Sequence, residues 1–215
     1  RFDHASVKET QSGCHQEDEC RGGEHPCYIT AVDTRGIAGV ETERENDPKD
    51  RQLTDRLYIS DLELRISQEI LLGMGGVRAL RALGYDPSAW HMNEGHSAFL
   101  TLERALEYVK NGKSFDQACK LIKDNNIFTT HTPVPAGNDE FPLWLIDKYF
   151  SQVWSDLGIT REDFINLAKI KQSWGGDAFG MPILALKLSE FKNGVSELHG
   201  KVARKMWNFL WPDKE

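Results

Sequence analysis

No apolar run in this chain approaches the roughly 18 residues needed to span a bilayer, so the sequence offers no membrane-crossing helix. Positive charge is also short. Lys and Arg total 26 against 33 Asp and Glu, leaving a net charge of −7. That balance argues against a general affinity for nucleic acid or an anionic membrane surface. The first residues, "RFDHASVKETQSG", have no apolar centre of the kind a signal peptide carries, and a cytoplasmic location is expected. Arg1 stands where an initiator Met would be, as expected of a piece of something longer.

Cysteine is scarce, with four in the chain. Cys119 sits alone in a helical pattern and reads as a small core residue. Cys14, Cys20 and Cys27 lie beside His15 and His25 in "CHQEDECRGGEHPC". These are metal-ligand residue types, but C-x5-C-x6-C is not a strong zinc spacing. Free thiols in a mobile, cytosolic segment are the expectation.

What the chain does have is enough length, 215 residues, for one large or two small domains with a real core. Hydrophobic residues at 40% and charged residues at 27% are the profile of a globular protein. Residues 1–50 are richer in acids than bases and show little periodicity, so a loop, tail or poorly ordered edge is expected there. From Leu53 the pattern tightens. Leu62, Ile66, Ile70, Val77 and Leu80 recur at helical spacing, and two helical pieces are expected, because "GMGG" at Gly73–Gly76 interrupts them. A phosphate loop should follow a strand, and this glycine run follows a helix. Close helix packing through small residues is the preferred reading.

"AWHMN" then reads as a strand after the "YDPS" turn. A helix is expected from Ser97, with Phe99, Leu102, Leu106 and Val109 on one face. Ser114 and Gln117 form a capping box for a short helix through Lys123. "NIFTTH", Asn126–His131, is a second strand. Strand, helices and strand make a βαβ unit, hence an α/β fold with a parallel sheet flanked by helices. The Pro-rich "TPVPAGNDEFP" follows as an irregular loop. Helices are expected at 143–156 and 160–170, the second opened by Thr160 with Glu162 and Asp163 in its first turn. "KQSWGGDAF" reads as a loop. "MPILALKLSEF" fits helix or strand by period, and Pro182 suits a helix start. A last helix aligns Leu198, Val202, Met206 and Leu210.

Two strand ends carry related groups: His91, Asn93, Glu94 and His96 at the first, Thr130, His131 and Thr132 at the second. In a parallel sheet both ends face one crevice, where α/β proteins bind ligands. Three chemistries fit. One is a metal held by His91, His96 and His131 with Glu94 as base, although H-x4-H is not the helical H-E-x-x-H spacing. Another is acid/base work by Glu94 with a histidine. The third is recognition of sugar hydroxyls, which both donate and accept. A bland alternative is that His91 and His96 satisfy buried backbone groups near the helix start.

"WHMNEGHSAFLTLERAL" and "FTTHTPVPAGNDEFP" closely resemble segments of the α-glucan (glycogen and starch) phosphorylases, in their shorter bacterial and archaeal branch. "LTDRLYISDLELRISQEILLGMGGVRALRALG" and "NGVSELHGKVARKMW" resemble two more, and the four occur in the family's order. The likeness covers roughly 46–212 and leaves residues 1–45 unassigned. It implies that 46–215 is part of the N-terminal lobe of a two-lobed enzyme of the GT-B type, with paired Rossmann-like domains. The implied reaction is reversible phosphorolysis of α-1,4-glucan to glucose 1-phosphate. The implied cofactor is pyridoxal phosphate. The implied partners are glucan or maltooligosaccharide, phosphate, the C-terminal lobe and a second copy in a homo-oligomer. Carried over by motif, Asn93, Glu94 and His96 line the glucosyl subsite, with His131 nearby.

The sequence also departs from the family. No segment resembles the cofactor-lysine region or the phosphate-facing Gly-rich loop. Longer-branch members have "GSHAVNG" where this chain has "LSEFKNG", which puts Glu190 in place of a histidine that bonds the glucose. An ionised carboxylate accepts but does not donate, so that role is not assigned to Glu190. Asn193 and Gly194 match and are expected to shape the turn. The isolated chain is expected to be inactive. The rival readings are a non-catalytic carbohydrate-binding half-domain and a zinc hydrolase built on the histidines.

Overall fold

The computed structural model describes residues 28–30, 53–56, 60–134, 137–172 and 175–212. Four parallel strands form the main sheet in the order β1 (Tyr28–Thr30), β2 (Ala89–Asn93), β3 (Asn126–Thr130) and β7 (Phe191–Gly194). The β2–β3 crossover is made by α3 (Leu100–Lys110) and α4 (Phe115–Lys123), as the alternation of periods predicts. Trp90, Met92 and Phe128 bury their side chains in the core. Strand β1 lies inside the segment expected to be irregular, and it pairs in register with β2 from Tyr28 opposite Ala89. The Cys14, Cys20 and Cys27 group lies outside the described residues, whereas the lone Cys119 is half-buried in α4, its thiol pushed up to about 12 by desolvation.

Before the sheet core comes α1 (Leu62–Ile70), capped by the Asp61 carboxylate on Glu63 and Leu64 amides. A π-helical turn, Leu71–Gly75, joins it to α2 (Gly76–Ala82). The Gly-rich run is therefore a helical packing joint. A methyl on Gly73 would sit 2.7 Å from the Leu100 nitrogen, so only glycine lets α3 approach this closely.

Between β3 and β7 the chain builds a second, antiparallel sheet of order β4 (Glu140–Pro142), β6 (Asp177–Gly180), β5 (Lys169–Lys171). Helices α5 (Leu143–Asp156) and α6 (Arg161–Asn166) lie between its strands in sequence. Two expectations are corrected here. The helix begun by the Thr160 capping box stops at Asn166, where the chain turns to pair Lys169 with Phe179. The second half of "KQSWGGDAF" is strand. "MPILALK" is helix α7 (Met181–Lys187), with Pro182 in its first turn.

The core is aromatic between the start of α3, helices α5 and α6, and β6. The Phe99 ring lies 4.5 Å from that of Phe150, and Phe164 stacks on Phe179 at 5.7 Å. The last helix, α8 (Glu197–Trp207), buries His199, Ala203 and Trp207, whereas Leu198 is 73% exposed and Val202 faces outward. The expected face is thus turned away by one residue. The cause is local: a methyl on Gly194 would meet the Gly200 backbone nitrogen at 2.7 Å. That glycine contact, with the Ser196 cap on His199, fixes the rotation of α8.

Candidate functional site

At the carboxyl end of β2 the backbone makes a sharp turn. Glu94 has φ 66° and ψ −179°, a region that costs a non-glycine residue about 1–3 kcal/mol. The turn is held by one oxygen of its side chain. Glu94 is 8% exposed, and its Oε1 accepts from the Thr132 amide at 2.7 Å, from the His131 amide, and from the Thr130 hydroxyl at 3.4 Å. The strained turn thus grips the loop that leaves β3. A 3-10 turn, Gly95–Ser97, follows and carries His96. A methyl on Gly95 would lie 3.0 Å from Met181 and Pro182, so this turn is wedged against α7.

His96 grips the far end of the same loop. Its Nδ1 lies 2.9 Å from Asp139 Oδ2 and 2.8 Å from Arg65 Nη2. Arg65 also donates to both oxygens of Asp139, at 3.3 and 2.9 Å, and lies 3.1 Å from Glu69 Oε1. Glu69 is 1% exposed and sits 3.8 Å from His96 Nδ1. Burial pushes its carboxyl up to about 8. The bond to Asp139, then the nearby Glu69 carboxyl, raises His96 to about 9. Asp139 is desolvated, yet its bonds to His96 and Arg65 hold it below the ordinary carboxylate range.

The predicted residues therefore do gather at one end of the sheet, in different roles. Asn93 and His131 are exposed. Glu94 and His96 staple the loop at residues 131–132 and 139. His91 turns the other way along the sheet. Its Nε2 is 2.6 Å from Thr129 Oγ1, which donates to Asn193 Oδ1 at 2.9 Å. Since one hydroxyl proton serves Asn193, His91 supplies the other as Nε2–H. Burial, then the nearby His131, lowers the pKa of His91.

The three-histidine metal site is not formed. Among the described residues, the atoms of metal-ligand type that converge are those of Glu69, His96 and Asp139, within 4.8 Å. Arg65 already supplies positive charge between them. The sequence reading missed Arg65, Glu69 and Asp139. The available signal was an Arg and a Glu four apart in α1, beside the apolar stripe of Ile66 and Ile70.

No protein-family model matches the chain. It does match individual proteins. It is 43% identical to the maltodextrin phosphorylase of Thermococcus litoralis over 167 residues, which is 78% of this chain and 19% of that protein. It is 42% identical to the glycogen phosphorylase of Mycobacterium tuberculosis over 179 residues, 78% of this chain and 20% of the relative. The glycogen phosphorylase of Aquifex aeolicus is 34% identical over 171 residues, 80% of this chain and 25% of the relative. The chain is a relative of the α-glucan phosphorylases. It spans about a fifth to a quarter of the length of these curated relatives.

What this phosphorylase relative displays at the crevice is a mixed set of donors and acceptors. His96 Nε2 has no protein partner among the described residues, and the side chain is 35% exposed. The exposed amide of Asn93 can donate and accept. No helix among the described residues is long and apolar enough to cross a membrane.

Proposed function

We propose that this chain forms the glucan-facing part of the N-terminal lobe of an α-glucan phosphorylase of the GT-B type. The parent enzyme cleaves α-1,4-glucan with phosphate and releases glucose 1-phosphate. The observation that carries this reading is the double staple: one short turn, Glu94 to His96, holds both ends of the 131–139 loop at the crevice of a parallel sheet. Ligands of open α/β sheets bind at such a crevice. Asn93, His96 and His131 contact the glucosyl unit. Glu94 shapes the subsite by fixing the His131 backbone. The proposed partners are maltooligosaccharide, phosphate, the C-terminal lobe and a second copy, in the cytoplasm.

The described residues do not fit pyridoxal phosphate. A lysine that bonds to its aldehyde must first lose its proton, which burial promotes. No described lysine is buried. Lys187, partly desolvated, donates to the Asn166 carbonyl at 2.8 Å instead. No step through the cofactor is derived from this chain.

The test uses the 215-residue chain with maltoheptaose. Binding is expected, with no glucose 1-phosphate formed on adding phosphate. His96→Ala should weaken binding about tenfold or more, the scale of one lost polar contact. Absence of binding at millimolar maltoheptaose would overturn the glucan reading. Robust turnover would overturn the partial-lobe reading.

A further inference from the structure

We infer that Glu69 is a positioning residue: with Asp139 it orients His96 so that Nε2–H stands at the crevice as a donor to a ligand oxygen. The inference rests on the glucan reading only for the identity of that oxygen.

Three features carry it. First, Glu69 is 1% exposed, and among the described residues its carboxylate pairs with Arg65 at 3.1 Å but neither oxygen accepts a hydrogen bond. A buried carboxyl left this way is costly, and its sequence position in α1 needs no acid for packing. It faces His96 across 3.8 Å. Second, the His96 ring is fixed from one edge. Nδ1 meets Asp139 at 2.9 Å and Arg65 at 2.8 Å, while Nε2 has no protein partner among the described residues. Third, three separate segments meet there: α1, the 3-10 turn and the loop residue Asp139.

The protonation chemistry leaves a narrow choice. If the ring is cationic, both nitrogens carry protons. If it is neutral and accepts from Arg65, the proton is on Nε2. Only a neutral ring with its proton on Nδ1 would turn Nε2 into an acceptor. Ionised Asp139 disfavours that state by stabilising the cation, and Glu69 adds to this once it ionises. The charged groups facing His96 are Arg65 and Glu69 from α1 and Asp139 from the loop. The α7 side contributes Met181 and Pro182, which are uncharged. Arg65 opposes the cation, and the two acids outweigh it in the raised His96. A donor at this position suits a hydroxyl or ether oxygen of a sugar.

The test is nitrogen NMR on histidine-labelled full chain, with His96 assigned by loss of its signal in His96→Gln. In the unaltered chain, Nε2 should stay protonated through neutral pH, and the ring should titrate near 9. Glu69→Gln, close in shape, should lower that midpoint by about one pH unit. Asp139→Asn should lower it further, and it keeps the inference testable if the buried variant does not fold. An ordinary midpoint near 6.5 in the unaltered chain, or an unprotonated Nε2 at pH 7, would sink the inference. Maltoheptaose separates this from the glucan reading. A His96 shift on its addition, weakened several-fold in Glu69→Gln, supports both. A correct titration with no response to maltoheptaose supports the positioning role and overturns the glucan assignment.

Discussion

Glu94 and Thr132 are joined by a 2.7 Å bond from a backbone amide to a buried carboxylate, and with the His131 amide it ties the end of β2 to the loop after β3. Glu94→Ala would leave both amides without an acceptor in a site 8% exposed. The expected cost is about 3–6 kcal/mol, the sum of two lost charge-assisted bonds. Glu94→Gly should be milder by about 1 kcal/mol, because glycine tolerates the φ of 66° without strain. Urea unfolding of the two variants checks the order. Equal losses would mean that the turn is not strained.

A second prediction concerns the packing joint. Gly73→Ala puts a methyl 2.7 Å from the Leu100 nitrogen and 3.0 Å from the Phe99 carbonyl carbon. Those are backbone atoms, so α3 must move away, at about 1–3 kcal/mol. Gly76→Ala is the control. Nothing lies within 4 Å of its added methyl, and its backbone is helical. It should be neutral or gain up to about 1 kcal/mol from helix propensity. Thermal melts of both variants decide between a packing joint and a flexible hinge.

Much of this frame is readable from residues alone. The β2–α3–α4–β3 unit follows from strong periods and a capping box, and "NEGH" marks itself by polarity at a strand end. Other parts depend on distant pairing. Lys169–Lys171 has too few residues to announce a strand, and only the partner register, Ile170 opposite Ala178, makes it one. The rotation of α8 is set by a contact between Gly194 and Gly200, not by its own apolar stripe. The Arg65–Asp139 pair spans 74 positions, and nothing local in either segment points to the other.

Asn126 offers a third test. It is fully buried, accepts from Arg104 and donates to the Leu188 carbonyl at 2.7 Å. Arg104 is itself 2% exposed and stacks 4.9 Å over the Trp90 ring. Asn126→Ala strips a partner from a buried guanidinium and from a carbonyl leading into β7. A loss of about 2–4 kcal/mol is expected. Asn111→Ala removes an exposed bond to the Glu107 carbonyl and should stay within about 0.5 kcal/mol. Similar losses at both positions would refute the bridging role of Asn126.

The pH dependence of stability follows from the cluster around His96. Glu69 is raised from 4.5 to about 8 by burial. His96 is raised from 6.5 to about 9, chiefly by Asp139 and then by Glu69. Both groups bind protons more tightly in the folded chain than in the unfolded one. Folded protein therefore holds more protons across this window, and stability falls as pH rises. The His96 contribution is complete below pH 6.5 and is lost through pH 9. The cost of ionising buried Glu69 enters between pH 4.5 and 8. His91 has the opposite sign: burial lowers it, so its contribution is lost as pH falls below 6.5. Asp139, held low, contributes until the pH falls below the ordinary carboxylate range. The melting temperature should accordingly decline from pH 6.5 to 9, where His91 and Asp139 no longer titrate. His96→Gln and Glu69→Gln should each flatten that decline, since each removes one proton-binding group. A profile that is level or rising over this range in the unaltered chain would refute the assignment.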